Sequence, residues 1–252
     1  MNDYWKSPTL IVVLECPTLT AKSPNLAVAC EYRISISLPC NPFLHSHRFV
    51  TSASVKNGET VRFASYTMRQ APSRSLRQAM IWEVCRATCA VEDIFPSIKI
   101  GAFNEEFMNG KTNTSNPVNM VWDEGRSLWE ESNSQPFREN LGCLVSIGAG
   151  LSSGEPVGSS TGSLLESLRR IGKETQQEAD SFIREQEKKD LFREKRYFRM
   201  NLTPVSNSER EEWGRTDEFD SATTKYFERP TNELALKDCA YRLRDKGTQN
   251  TS

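Results

Sequence analysis

The sequence predicts a mixed α/β fold, and three patterns support this prediction. Apolar and polar residues alternate on either side of an Asn-Gly pair at 57–58, which is typical of a β-hairpin. The run LGCLVSIGAG at 141–150 is short, apolar and bounded by glycine, as expected for a buried strand. Apolar residues recur at helical spacing before and after that run. Strands that alternate with helices in this way are typical of layered α/β domains.

The first half of the chain is predicted to hold a hairpin, a helix and a loop. Two apolar stretches, 10–14 and 34–38, are candidate strands, although residues 1–47 show no clear period. The hairpin covers 48–66, where Asn57 and Gly58 supply the positive φ angles of a tight turn. Three further elements follow: a helix over 75–89, an extended segment over 97–103 and a polar loop over 104–116. The expected buried face of the helix consists of Ile81, Val84, Cys85 and Thr88.

The second half is predicted to be mostly helical. Asn116 is a suitable helix cap and Pro117 a suitable first helical residue. The buried stripe of that helix is expected to consist of Val118, Val121, Trp122, Leu128 and Trp129. After the strand at 141–150, the pattern predicts one long helix from 163, a short strand at 195–199, and helices near 217–228 and 231–245. The predicted division has four parts: an unassigned segment at 1–47, a partial α/β domain at 48–150, a Gly/Ser-rich linker at 151–162 and a mostly helical C-terminal extension at 163–252.

Composition and charge exclude several classes of function. The net charge is -1, and Lys and Arg are interleaved with Asp and Glu, so we expect no nucleic-acid partner. No apolar run approaches the roughly 20 residues that span a bilayer, so no transmembrane segment is predicted. The seven cysteines are an odd number without regular spacing, which indicates reduced thiols. We therefore predict an intracellular, cytoplasmic protein.

Two serines lie in GxSxG strings, the pattern of a nucleophile elbow in hydrolases. Ser152 follows the predicted strand, but Glu155-Pro156 after it does not start a helix. Ser160 precedes a predicted helix, but linker residues separate it from the strand. An elbow needs a strand and a helix directly on either side of the serine, and matches arise readily by chance in a Gly/Ser-rich linker. Both serines are therefore weak candidates for a nucleophile.

Two further pairs of residues are candidates for metal or redox chemistry. His45 and His47 are spaced to share one face of a strand, but no cluster of cysteines or carboxylates lies beside them, so a metal site is the weaker interpretation. Cys85 and Cys89 lie one helical turn apart, whereas redox pairs are more usually Cys-x-x-Cys, so core packing is the stronger interpretation. We therefore expect no metal and no other cofactor.

A series of short motifs extends from residue 81 to residue 201. The segments are IWEVCRATCAVEDIFPSIKIG (81–101), Asn-Gly-Lys (109–111), Ser-Asn-Pro-Val (115–118), VWDEGRSLW (121–129), LVSIGAG (144–150) and KRYFRMN (195–201). Taken together, they resemble the patatin-like phospholipases, especially fungal multidomain members, and the similarity extends over 48–247. In that family the turn is Asp-Gly-Gly or Asp-Gly-Ala, and Asn-Asn-Pro-Val follows it.

The resemblance implies a three-layer α/β fold and a Ser–Asp dyad that hydrolyses acyl esters of phospholipids or acylglycerols without a metal. A lipid substrate or lipid surface would be the partner, and a protein partner is also possible. Asn109 stands at the position of the dyad aspartate, with Gly110 beside it, and nothing before residue 48 resembles the family's serine elbow. A neutral amide cannot act as a general base, and the Asp→Asn change in a serine-protease triad costs about 10⁴ in rate. We therefore expect this chain to be inactive as a hydrolase.

Three functions remain open. The first is a patatin-like lipid acyl hydrolase in lipid metabolism, of which this chain is the C-terminal part; it predicts upstream sequence that carries the elbow. The second is a catalytically inactive relative that binds lipid or a protein partner. The third is a distinct serine hydrolase that uses Ser152 or Ser160 with a histidine.

Overall fold

The chain is a mixed α/β protein, and two compact units can be distinguished in it. The computed structural model describes residues 9–14, 48–66, 76–90, 95–109, 116–130, 134–148, 173–202 and 216–245. Cys16–Thr114 forms one unit, which we call the hairpin unit, and Met1–Glu15 with Ser115–Ser252 forms the other, which we call the parallel unit. The parallel unit combines segments that are far apart in the chain, because their strands pair with one another.

Strands and helices are interspersed along the described part of the chain. The strands are β1 (Thr9–Leu14), β2 (Phe49–Ser54), β3 (Thr60–Ala64), β4 (Ile98–Ile100), β5 (Glu105–Met108), β6 (Leu141–Ile147) and β7 (Tyr197–Met200). The helices are α1 (Ile81–Thr88), α2 (Val118–Glu130), α3 (Phe137–Asn140), α4 (173–182), α5 (Gln186–Arg193), α6 (Thr216–Glu228) and α7 (Pro230–Asp245). A 3-10 turn at Leu76–Gln78 precedes α1.

The hairpin unit contains an antiparallel sheet with the strand order β3-β2-β5-β4. The predicted hairpin is confirmed, since Phe49 pairs with Ala64 and Ala53 with Thr60. The prediction of a loop over 104–116 is wrong for Glu105–Met108, which forms β5 between β2 and β4. Two consecutive glutamates make that segment polar, but Phe107 is buried and packs edge-on against Phe63, with ring centroids 5.4 Å apart.

The turn between β2 and β3 is wider than the predicted one. Gly58 has a φ of 71°, but Asn57 does not adopt a positive φ, so the prediction for Asn57 is wrong. Its side-chain oxygen instead accepts a hydrogen bond from the Glu59 N–H at 3.2 Å, an asparagine turn that mimics a backbone turn. The Gly58 N–H donates to the Ser54 carbonyl at 2.8 Å and closes the loop.

Helix α1 is shorter than predicted, and its buried face is shifted. Met80 has an extended backbone with a ψ of 152°, which separates the 3-10 turn from the helix. Ile81 was expected to be buried but is 81% exposed, whereas Ala87 is fully buried. Ile81 is the first helical residue and is exposed, whereas Val84, one turn later on the predicted face, is partly buried and packs against the core. The core of this unit consists of Phe63, Leu76, Ala87, Ile100 and Phe107.

The parallel unit contains a sheet with the strand order β1-β6-β7, in which all described pairs are parallel. Strand β6 lies in the middle and is almost fully buried, which confirms the prediction for the apolar run. Strand β7 pairs with β6, from Leu144 with Tyr197 to Ile147 with Met200. The short strand predicted at 195–199 is therefore confirmed, and the mostly helical C-terminal extension contributes it to this sheet.

Helices pack against both faces of the parallel sheet. One cluster consists of Val118, Trp122, Trp129, Phe137, Leu141, Leu144, Phe182, Leu191 and Tyr197, from α2 to α5 with the sheet. The other consists of Cys143, Val145, Phe198 and Cys239, where α7 meets the sheet. Neighbouring residues of β6 thus face opposite sides, as a strand requires. The predicted burial of Val118, Trp122 and Trp129 is confirmed. The helix predicted from 163 is interrupted after 182, and α5 is a separate helix.

Asn116 does not cap α2 as predicted. The first helical hydrogen bond runs from the Val121 N–H to the Pro117 carbonyl at 2.8 Å, and α2 begins at Val118, one residue later than expected. The buried Asn116 side chain instead donates through Nδ2 to the Thr175 carbonyl at 3.0 Å. Asn116 therefore fastens the start of α2 to α4.

Candidate functional site

Asn109 lies at a corner where a strand and a helix both end. It follows β5 directly, and it is half-buried. Its N–H donates to the Ala90 carbonyl at 2.9 Å, just beyond the C-terminal end of α1. The position that the resemblance assigns to the dyad base is therefore held by an internal strand on one side and by a helix end on the other.

A buried serine on the neighbouring strand holds the same corner together. The Ser52 Oγ lies 2.7 Å from the Met108 carbonyl oxygen and 3.3 Å from that of Ala87, so its single proton favours Met108. Ser52 is fully buried and links the end of β5 to the last turn of α1. This residue could not be identified from the sequence. The run around Ser52 shows only strand alternation, and no local signal indicates which helix the strand faces.

The chemistry available at this corner follows from the carboxamide of Asn109. An amide donates two hydrogen bonds through nitrogen and accepts through oxygen, but it carries no charge and takes up no proton near neutral pH. Asn109 can therefore orient a polar group of a ligand. It cannot remove a proton from a hydroxyl nucleophile, which is the task of a general base.

Several predicted site residues lie outside the described residues. They are Gly110, the two GxSxG serines Ser152 and Ser160, and the two histidines His45 and His47. Their positions relative to Asn109, and hence the prediction of a serine nucleophile or a histidine base, stay predictions.

A second polar cluster lies at the carboxyl ends of β6 and β7. This is the edge at which parallel α/β sheets commonly bind ligands. The Arg199 Nη1 donates to the Ser146 Oγ at 2.9 Å, and the two residues are direct partners in the register of the sheet. Beyond the strand, the Gly148 N–H donates to the Met200 carbonyl at 2.8 Å. A guanidinium thus lies beside a fully buried hydroxyl at this edge.

A side chain at Gly148 would have to displace two neighbouring side chains. A Cβ at this position would clash with the Asn201 Oδ1 and would lie 2.7 Å from the Arg199 Nη2. The guanidinium and a carboxamide therefore lie directly over the backbone at the end of β6. The Asn201 Nδ2 donates to the Gln176 Oε1 at 3.3 Å, and the Asn201 N–H donates to the Tyr226 hydroxyl at 3.3 Å. These contacts join the strand ends to α4 and α6.

This cluster could not be recognised as a site from the sequence. The residue pattern predicted strands at 141–150 and 195–199, but neither the pattern nor the resemblance assigned a functional residue to them. Ser146 and Arg199 are 53 residues apart in the chain, and only the parallel pairing of β6 with β7 brings them together. Guanidinium, hydroxyl and carboxamide groups all donate hydrogen bonds to oxygen acceptors, so the cluster is suited to hold oxygen-rich groups in place.

Lys188 is a buried cation whose charge is compensated by its neighbours. Its Nζ lies 2.9 Å from a Glu185 carboxylate oxygen and donates to the Asn119 Oδ1 at 2.8 Å. The ammonium also stands over the Phe182 ring, 4.8 Å from its centroid. Lys188 therefore holds α5 against α2 and α4, and its environment is that of a structural residue.

The four described cysteines are thiols: Cys85, Cys89, Cys143 and Cys239. Burial, reinforced by the neighbouring Cys239, raises the pKa of the Cys143 thiol from 9.0 to about 12. Burial also raises the pKa of Cys239. Within the described ranges, no group of three or more His, Cys, Asp and Glu side chains is arranged to hold a metal ion.

Comparisons with known proteins add no relative. Neither a scan against models of protein families nor a search of curated proteins returns a match for this chain. Among the helices that the structure describes, none combines the length and the apolar character needed to cross a bilayer.

Proposed function

We propose that this chain is a patatin-like domain that binds acyl lipid without hydrolysing it. The observation that supports the proposal is the amide of Asn109, at the position that the resemblance assigns to the dyad base. The backbone of this position is held by the Ala90 carbonyl, while the side chain lacks the carboxylate that would take up the proton of a serine. A parallel sheet with helices on both faces is compatible with the three-layer fold that the resemblance implies.

An exposed apolar end of α1 supports a lipid partner. Met80, Ile81 and Trp82 are 53%, 81% and 52% exposed, although they are consecutive and large. The other end of the same helix holds the buried Ala87 and, just beyond it, Ala90, the backbone partner of Asn109. Tryptophan and aliphatic side chains are favoured at the boundary between headgroups and acyl chains. We propose that these three side chains enter that boundary and bring the Asn109 corner towards the lipid.

The net charge of the chain narrows the class of lipid that we expect it to bind. The net charge is -1 at pH 7, so anionic headgroups gain no overall attraction. Binding that depends on apolar insertion is weakly screened by salt, unlike binding by a polybasic surface. The proposal therefore predicts binding to uncharged or zwitterionic phospholipid vesicles that changes little between low and physiological salt.

The test uses the full chain and phosphatidylcholine vesicles. Wild-type protein should sediment with the vesicles, and Trp82→Ala should lower the bound fraction several-fold. Phe192→Ala is the matched control, because Phe192 is an equally exposed aromatic residue (56%) on α5 of the parallel unit. Equal binding by wild type and Trp82→Ala, or loss of binding in Phe192→Ala, would contradict the proposed lipid-facing end.

A fluorophosphonate probe tests the absence of a working nucleophile. The proposal predicts no labelled serine in the wild-type chain. Labelling that disappears in Ser152→Ala or Ser160→Ala, but not in Ser65→Ala, would show instead a serine hydrolase that uses one of the GxSxG strings.

A further inference from the structure

Two buried thiols belong to the contact between α7 and the parallel sheet. Cys143 lies on β6 and is fully buried, and Cys239 lies on α7 and is 5% exposed. Both belong to one apolar cluster, together with Val145 and Phe198. Cys239 contributes to the raised pKa of the Cys143 thiol, so the two side chains lie within interaction range. The C-terminal helix therefore packs on the central strand through a cluster that contains both thiols.

We propose that Cys143 and Cys239 form a reversible disulfide, with hydrogen peroxide as the oxidant, and that this bond fastens α7 to β6. The two side chains pack in the same buried cluster and influence each other electrostatically, so the sulfur atoms are near each other. Rotation of the two side chains would bring the sulfur atoms to the S–S bond length of about 2.05 Å. Met200 and Ala235, which pack against this cluster, are flexible or small, so they leave scope for that adjustment.

The difference in burial indicates which sulfur reacts first. Cys239 is the less buried of the two, so its thiolate is the more accessible nucleophile. Attack on peroxide forms an S–O bond and breaks the O–O bond; the product is a sulfenic acid, and the departing hydroxide takes up a proton to become water. Cys143 then loses its proton and attacks the Cys239 sulfur; the S–O bond breaks and a second water leaves. In total, two thiols and one peroxide give one disulfide and two waters.

The electrostatic surroundings of the pair limit the rate but permit the reaction. Burial raises the pKa of both thiols, so the thiolate fraction at neutral pH is small and the oxidation is slow. Two cations act in the opposite direction on Cys143, namely Arg242 on α7 and Arg196 just before β7. A small uncharged oxidant is suited to such a site, since it can approach sulfur atoms that larger disulfide reagents cannot reach.

The other two described cysteines provide an internal control. Cys85 and Cys89 are half-buried, so exposure alone would make them the first to be oxidised. They lie one turn apart, and the Cys89 N–H donates to the Cys85 carbonyl along the helix. A bond between them would fasten no second element. If exposure decides which thiols are oxidised, Cys85 and Cys89 should react first. If the proximity of two thiols decides, the product should be the Cys143–Cys239 disulfide.

The experiment treats the full-length chain with hydrogen peroxide, alkylates the remaining thiols after denaturation, and maps the peptides by mass spectrometry. We expect a linked peptide pair that joins Cys143 to Cys239, lacks two hydrogen atoms and separates on reduction. Trypsin should cut at the exposed Lys237 of α7 several-fold more slowly in the oxidised chain. The double change of Cys85 and Cys89 to serine should leave both results intact, whereas Cys143→Ser and Cys239→Ser should abolish them.

The peptide map of the wild-type chain tests the proposed disulfide even if the serine variants fold poorly. Recovery of both Cys143 and Cys239 as alkylated thiols would overturn the proposal, whether or not Cys85 and Cys89 are oxidised. A disulfide from either residue to another cysteine would overturn it as well.

Discussion

The two units form their sheets in different ways. In the hairpin unit, β2 and β3 are neighbours in the chain, as are β4 and β5, and turns of a few residues join them. In the parallel unit, Thr9 pairs with Leu141 and Leu144 pairs with Tyr197, so each pairing spans a large part of the chain. Antiparallel neighbours need only a tight turn, whereas parallel neighbours need a crossover connection. The comparison shows that local turns specify the two hairpins of one sheet, which then join through the distant pairing of β2 with β5, while contacts between distant segments specify the whole of the other sheet.

The largest expected effect comes from the aromatic core of the parallel unit. Trp122 is buried and stands edge-on to Phe137 and Phe182, with centroid distances of 5.1 and 6.1 Å. Trp122→Ala should lower the free energy of unfolding by about 3–5 kcal/mol, because it leaves a large cavity. Trp82→Ala is the matched control on α1, where half of the side chain is exposed, and it should change stability by less than about 0.5 kcal/mol. Urea denaturation measures both; similar losses would contradict the difference between the two sites.

High pH should lower the stability of the parallel unit, because the buried Cys143 thiol then loses its proton. Its pKa of about 12 in the folded protein exceeds the ordinary 9.0, so the protonated thiol contributes stability that is complete below pH 9. That contribution is lost as the pH rises from 9 towards 12, by at most about 4 kcal/mol for three pKa units. Lysines and tyrosines titrate in the same range, so the measurement is the difference between wild type and Cys143→Ala. A difference that does not change with pH in this window would contradict the assignment.

Replacing either of two buried serines with alanine should lower the stability by a smaller amount, which differs between the two. Ser146→Ala removes a hydroxyl that accepts from the Arg199 guanidinium, and hydrogen bonds to charged groups contribute about 1.5–3 kcal/mol. Ser52→Ala removes a neutral hydrogen bond to the Met108 carbonyl, for which about 1 kcal/mol is expected. Ser65→Ala, at an exposed contact with Arg48, serves as the control. Chemical denaturation should rank the losses as Ser146, Ser52 and Ser65, and a reversed order would refute the role of charge.

Substitutions at two glycines distinguish the stability cost of a steric clash from the cost of backbone strain. Gly148→Ala must displace the Asn201 and Arg199 side chains, so a loss of about 1–3 kcal/mol is expected. Gly58→Ala meets no atom within 4 Å, but its φ of 71° is unfavourable for alanine and should cost about 1 kcal/mol. Thermal unfolding of both variants gives the comparison. An unaffected Gly148→Ala would show that the strand-end cluster adjusts freely.

What the sequence predicted follows the same division between local and distant contacts. The hairpin and the buried stripe of α2 were predictable, because Gly58 and the spacing of Val118, Trp122 and Trp129 act within one element. Strand β5 was missed because its stability comes from pairing on both sides, not from its own residues.

The site was predictable only as a position in the chain. The motif around Asn109 is continuous, so the resemblance could point to it. Its environment was not predictable, since Ser52 and Ala90 come from other parts of the chain. The contact of Ser146 with Arg199 depends on parallel pairing, and no local pattern encodes such a pairing.

The most direct test of the proposed function is the release of fatty acid from phosphatidylcholine vesicles by the wild-type chain and by Asn109→Asp. Asn104→Asp is the control, because it makes the same chemical change at the opposite end of β5, at an exposed turn residue with a φ of 50°. We predict that the wild-type chain and Asn104→Asp release no fatty acid above the protein-free rate, so that any release is confined to Asn109→Asp. Release by the wild-type chain would contradict the claim that the amide at position 109 makes this a lipid-binding domain and not a hydrolase.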